Sequence, residues 1–147
     1  MDIHVPKDHP RYQSISIREK LVEMVQAKVV APAGLIAHGR GEAFDYLCGE
    51  DTPEPAHTAI EAAAARLLTA AHPVLSINGN VAALCPEDLV QLSKVSAAPL
   101  EVNLFYRTLE REQAIAAVLQ QAGAEEVLGV GEDASQSIPE IGSERRR

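Results

Sequence analysis

Ile17, Leu21, Met24 and Val25 recur at helical spacing and predict a first helix over about 12–28, entered from an extended segment ending at His9-Pro10. Val29–Gly34 holds Pro32 and Gly34 and reads as a turn. Leu35–Ala37 then leads into a glycine loop and a short helix near 41–48. Asp51-Thr52-Pro53 is a helix start, and the helix it opens, about 54–71, holds eight alanines before Pro73 closes it. Val74–Ile77 is β-prone and is broken by Asn78-Gly79-Asn80, whose Asn-Gly pair by itself reads as a turn. Pro86 with Glu87 and Asp88 opens a helix to about 96, Leu100–Leu104 reads as a second strand, and Thr108 caps a helix running to Gly123. Ile115, Val118, Leu119 and Ala122 share one face of that last helix. Glu126–Val130 gives a third strand, and a polar tail with no helical pattern follows.

Strands alternating with helices at this spacing predict an α/β fold, a Rossmann-like three-layer arrangement with a mainly parallel sheet. Residues 1–147 are expected to form a single α/β nucleotide-binding domain. The third strand lies so near Arg147 that the sheet reads as incomplete at its C-terminal end, as in a chain truncated there.

Composition narrows the class without changing that picture. Apolar residues make up 46% and charged residues 23% of the chain, which excludes disordered and collagen-like classes. A net charge of −8 and only 3% aromatic residues argue against binding to nucleic acid or to anionic membranes. The acidic excess is concentrated towards the C-terminus, so an anionic ligand is expected to sit in the N-terminal third. Cys48 and Cys85 are too few for a disulfide framework or a cysteine zinc site, and the N-terminus lacks a signal-peptide pattern, so the expected compartment is the cytoplasm.

The segment Gly34–Tyr46 places Arg40 between two glycines, beside His38, Glu42 and Asp45. A guanidinium on such bare backbone is suited to fork onto a phosphate or carboxylate, although a tight turn with a solvated arginine would give the same spacing. Ligands of open α/β sheets sit beyond the carboxyl ends of the strands. Two such ends carry polar clusters here, Ser76 with Asn78, Gly79 and Asn80, and Asn103 with Tyr106, Arg107 and Thr108. Asparagines offer both donors and acceptors, and His38, Asn78, Asn80, Asn103, Tyr106 and Arg107 are the candidate substrate contacts. Gly129-Val130-Gly131 followed by Ala134 formally matches a dinucleotide fingerprint, but the helix it needs is missing from the pattern. The chain has no phosphate loop, nucleophile elbow or zincin helix.

Five words of sequence, in order, carry a more specific signal: Lys7–Tyr12, Arg18–Glu23, Gly34–Tyr46, Ser76–Leu84 and Leu100–Arg107. Together they closely resemble the archaeal 4-phosphopantoate–β-alanine ligases, or phosphopantothenate synthetases, across essentially the whole chain. The resemblance implies a Rossmann-like homodimer of coenzyme A biosynthesis. It implies a reaction joining 4-phosphopantoate to β-alanine while ATP goes to AMP and pyrophosphate, assisted by Mg2+, through an acyl-adenylate. It assigns ATP contacts to Arg18 and Arg40, and it implies that the family chain continues beyond the Glu144–Arg147 word. The catalytic base is left unassigned. A noncatalytic nucleotide-binding or dimerisation module derived from the same fold is the alternative, and an NAD-dependent oxidoreductase rests only on the glycine match.

Overall fold

A computed structural model describes residues 5–131, Ala134, and the backbone of 135–138 and 143–146. The first helix, α1, spans Tyr12–Gln26 and turns Leu21 fully into the core. It ends where Lys28 adopts a left-handed φ of 64°, which lets the amides of Val29 and Val30 both reach the Met24 carbonyl at 3.0 Å. That hook delivers two buried valines directly beneath the start of the next helix.

The next helix corrects the sequence reading. The chain turns at 29–31, but the turn ends at Pro32 and no glycine loop stands at 38–42: α2 runs continuously from Pro32 to Cys48 and takes in the expected helix near 41–48. Pro32 occupies the first helical position, where its fixed φ suits the helix and its missing N–H costs nothing. Glycine inside a helix costs about 1 kcal/mol relative to alanine, too little to stop one that tertiary packing supports. Gly34 earns its place through close approach, since a Cβ there would run into the Asn80 side chain. The helix α3, Glu54–Thr69, follows the predicted limits closely and contains no buried residue.

Two strands form the parallel sheet, β1 Leu75–Ile77 and β2 Leu100–Val102, with Leu75 opposite Leu100 and Ile77 opposite Val102. The second is shorter than predicted, ending before Leu104. Between them lie α4, Gly79–Leu84, and α5, Pro86–Ser96. The pattern reading took Asn78-Gly79-Asn80 for a turn, but Asn78 is an N-cap whose side chain accepts from the amides of Asn80 and Val81, at 3.0 and 3.1 Å. The helix α6, Leu109–Gln121, begins as expected at Thr108, whose hydroxyl accepts from the Arg111 amide. The expected strand at 126–130 is reduced to one parallel bridge between Leu128 and Glu101, closed by hydrogen bonds of 2.8 and 2.9 Å to the backbone of Leu100 and Val102.

The fold is therefore a mixed α/β arrangement around a small two-stranded parallel sheet. Its core is Leu21, Val29, Val30, Ile77, Leu100, Val102, Ile115 and Leu119, with the small Ala82 and Ala83 of α4 letting that helix pack against α1, α5 and α6. In the tail, β3 Ser135–Ile138 pairs antiparallel with β4 Ser143–Arg146. A strand stands where the dinucleotide fingerprint needs a helix, so that match is set aside. Among the described residues no helix is long and apolar enough to cross a membrane.

Ala97 ends α5 in the left-handed region, at φ 55°, and is exposed. A Cβ is disfavoured in that region by roughly 1–2 kcal/mol, part of which glycine returns through its freer unfolded chain. Ala97→Gly should raise stability by about 0.5–1 kcal/mol, read as a higher urea midpoint at unchanged slope.

Candidate functional site

A cleft of about 230 Å³ opens at the carboxyl ends of β1 and β2. Asn78, Gly79 and Asn80 enter it from the end of β1, and Asn103 to Tyr106 from the end of β2. Ala33, Gly34 and Ala37 of α2 form the facing wall, and Arg111 of α6 completes the lining. A second cavity of about 480 Å³ shares Ala31, Ala33, Tyr106 and Arg111 with the first and is lined otherwise by Val25, Val30 and Pro32 together with Lys28, Thr108 and Glu110. A crevice at the strand ends is thus present, formed by the two asparagine clusters with Ala33–Ala37 of α2 in place of residues 38–42.

Arg111 went unnoticed in the sequence because its partners are backbone atoms. Its two terminal nitrogens donate to the carbonyls of Tyr106 at 2.6 Å and Val29 at 3.1 Å, joining the loop after β2 to the turn before α2. Its Nε is buried without a partner among the described residues, and burial lowers the guanidinium's pKa from its ordinary value. The same Val29 carbonyl sits against Gly79, where an added Cβ would collide with it. Only glycine allows α4 to start so close beneath that turn.

The sequence-derived candidates divide into groups. Asn78, Asn80, Asn103 and Tyr106 do meet at the cleft. Part of each asparagine's capacity is already used: Asn78 caps α4, the Asn80 amide donates to the Gly34 carbonyl, and that of Asn103 donates to the Ser76 hydroxyl, both at 3.0 Å. Their orientation is fixed by those bonds. Tyr106 and its neighbour Phe105 are exposed at the mouth. Arg107 does not line the cleft. It pairs with buried Glu112 at 2.6 Å and donates to the carbonyls of Gly129 and Gly131 at 3.3 Å, while Glu112 also accepts from the Gly131 amide. Those contacts staple the segment after Leu128 to α6.

Of the remaining three candidates, His38 and Arg40 lie along α2 and Arg18 lies on α1. Ala33, Ala37 and Arg40 share one stripe at i, i+4, i+7, so exposed Arg40 stands one turn beyond the cleft wall, with no ion pair or hydrogen bond among the described residues. Leu35, His38 and Glu42 form the opposite stripe, which faces α1. There Glu42, only 8% exposed, accepts from Arg11 through Oε1 at 3.2 Å and from Arg18 through Oε2. The Arg18 hydrogen bond holds the Glu42 carboxyl below its ordinary range against the opposing effect of burial, with Arg11 and His38 adding to the same lowering. The His38 Nε2 is buried without a partner among the described residues. Arg18 and Arg40 are therefore held on different sides of α2.

Activated nucleophiles and metal clusters do not stand out. Cys48 and Cys85 are free thiols, and burial together with nearby Asp88 raises the pKa of Cys85, the reverse of activation. Among the described residues no three His, Cys, Asp or Glu side chains gather to hold a metal ion. What the site offers is oriented amides and guanidinium groups, suited to binding and positioning polar, anionic molecules.

Comparison with known proteins bears on the whole chain. Residues 55–147 match the sequence profile of the phosphopantothenate/pantothenate synthetase family. The chain is 52% identical over 144 residues to a 4-phosphopantoate–β-alanine ligase of Thermococcus kodakarensis, covering 97% of this chain and 54% of that protein. It is 54% identical over 119 residues to the ligase of the same name from Methanospirillum hungatei, covering 81% and 49%. With that of Methanosarcina mazei it shares 51% identity over 131 residues, covering 89% and 52%. The chain spans about half the length of the curated relatives it matches.

Two outcomes follow from the geometry. Arg111→Met keeps most of the side-chain volume but strands the Val29 and Tyr106 carbonyls, and should cost about 1–3 kcal/mol in urea denaturation; Arg111→Lys, which still reaches one carbonyl, should cost less. Glu42 has a lower pKa folded than unfolded, so its contribution to stability is complete above the unfolded value and disappears as pH falls through the folded one. Stability measured against pH should fall more steeply on the acid side for the wild type than for Glu42→Gln, with the gap between them closing below the ordinary carboxylate range.

Proposed function

The chain belongs to the phosphopantothenate/pantothenate synthetase family, and from that premise we propose that its cleft receives 4-phosphopantoate in an ATP-dependent, AMP-forming ligase of coenzyme A biosynthesis. The second substrate is β-alanine and the product is 4′-phosphopantothenate. The observation that carries the reading is the cleft at the strand ends, lined by Asn78, Asn80 and Asn103, in a chain 52% identical to a ligase of that name. The parallel pairing of β1, β2 and Leu128 supports a Rossmann-like three-layer arrangement, whose ligands bind at this edge of the sheet. In this assignment the three asparagines take the hydroxyl and anionic oxygens of the acid. Val25, Val30 and Pro32 in the cavity beside Arg111 take its dimethyl carbon.

Arg18 and Arg40 are the ATP contacts. Arg18 is 51% exposed and Arg40 is exposed, so each guanidinium is accessible to a polyphosphate from its own side of α2. Magnesium would enter on the phosphates, as is usual where few carboxylates converge. In the reaction a carboxylate oxygen of 4-phosphopantoate attacks the α-phosphorus of ATP and pyrophosphate leaves. The β-alanine nitrogen then attacks the acyl carbon, forming the amide, losing a proton and releasing AMP. The arginines act by stabilising the negative charge that builds on the α-phosphate oxygens and on the departing pyrophosphate as the bond between them breaks. The supporting features for a homodimer are the exposed apolar side chains of α2 and α3, among them Ile36, Phe44, Leu47, Ile60 and Leu68, and the lack of any buried residue in α3.

Incubation of the purified chain with ATP, Mg2+, 4-phosphopantoate and β-alanine should release AMP and pyrophosphate in equal amounts, with no ADP. Omission of β-alanine should stop turnover. ADP formation would contradict the acyl-adenylate route, and ATP binding without any AMP release would favour a noncatalytic nucleotide-binding module.

A further inference from the structure

The α1–α2 contact carries more positive charge than a structural ion pair needs. Two guanidinium groups, those of Arg11 and Arg18, converge on the two oxygens of a single carboxylate. The carboxylate is the buried member, whereas the Arg11 and Arg18 side chains are 43% and 51% exposed. One negative charge against two positive ones leaves a net positive site at the surface. Each guanidinium has five N–H donors, of which Glu42 occupies only a few.

The arrangement also orients Arg11. Its guanidinium lies 5.2 Å from the centre of the Tyr46 ring, so the bond to Glu42 on one side and the ring on another restrict its rotamers. Arg11 and Arg18 are seven residues apart, on the same face of α1 two turns from each other. Arg11 is itself the N-cap residue of α1; its side chain makes no cap bond, its amide donates to His9 Nδ1 at 3.1 Å, and no acidic residue lies in the first turn. The partial positive charge of the helix end therefore adds to the two guanidiniums.

We propose that Arg11 is a second phosphate-contacting residue of the nucleotide site, held beside Arg18 by their shared carboxylate, Glu42. Glu42 in this arrangement is a positioning residue: it touches no ligand but fixes the separation of two cations that would otherwise repel each other. The ligand class is a polyphosphate, since two half-exposed guanidiniums share one buried carboxylate and leave a net positive charge with unused N–H donors at the surface. The inference rests on the assignment of ATP to Arg18 and adds Arg11 to it.

Binding of ATP, AMP and adenosine, each titrated calorimetrically into the wild type, Arg11→Gln and Arg11→Lys, tests the assignment. Arg11→Gln should weaken ATP roughly tenfold, the scale of one charge-assisted hydrogen bond, while adenosine binding changes less than twofold. Arg11→Lys should recover part of the loss. The ratio of ATP to adenosine affinity is insensitive to partial unfolding, so it separates a phosphate contact from a packing role. Equal weakening of all three ligands, or unchanged ATP affinity, would overturn the role of Arg11. Absence of ATP binding to the wild type would instead overturn the nucleotide reading on which it rests.

Discussion

The Val29 carbonyl is the point on which the site's geometry depends. It is approached from below by Gly79 at the start of α4 and from the side by the Arg111 guanidinium of α6, 82 residues away in sequence. Val29 itself is buried and is placed there by the hook that Lys28 puts at the end of α1. Three consequences follow from this one contact. It seats α2 across the strand ends, it fixes the loop after β2 through the second bond of Arg111, and it leaves open space between those elements. The cleft is what remains when α2 is held at that distance and cannot collapse onto the sheet.

The division of charge across α2 follows from the same seating. One stripe, through Ala33 and Ala37, has small side chains facing the cleft, and Arg40 continues it into solvent. The other, through His38 and Glu42, lies against α1 and captures two arginines. A carboxylate as enclosed as Glu42 would be costly without partners, and its lowered pKa shows that the arginines outweigh burial. Arg107 and Glu112 play a comparable part on the other side of the molecule, where their pairing anchors the segment that bridges to β2. The two arginines nearest each other in the loop region, Arg107 and Arg111, are thus both committed to holding backbone in place.

Much of the fold was legible in local chemistry. Thr108 and Pro86 marked helix starts, and the spacing of Ile115 and Leu119 marked a buried face. Of α2 only the last part, near 41–48, was legible; its first half was not, because Pro32 and three glycines are turn signals unless tertiary contacts offset their cost, and those contacts involve Asn80, which is 46 residues away from Gly34. The six-residue α4 is too short to show a period, so its cap residue read as a turn. The third strand was foreseen in place but not in extent, since only Leu128 keeps the pairing geometry. At the site, the asparagines at the strand ends were visible from topology alone. Arg111 was not, because a guanidinium whose partners are main-chain carbonyls leaves no pattern in side-chain identities, and Arg107 looked like a ligand contact only because its partner Glu112 lies one turn into α6.

The central claim is that the acid substrate occupies the cleft held open around Val29. Amide chemical-shift changes on titrating the isotope-labelled chain with 4-phosphopantoate test it most directly. The largest changes should cluster at Asn78–Asn80, Asn103–Tyr106 and Ala31–Ala37, the segments that meet at the cleft. Changes confined instead to the cavity at the opposite end of β2, around Lys94, Leu100 and Gly123, would contradict it.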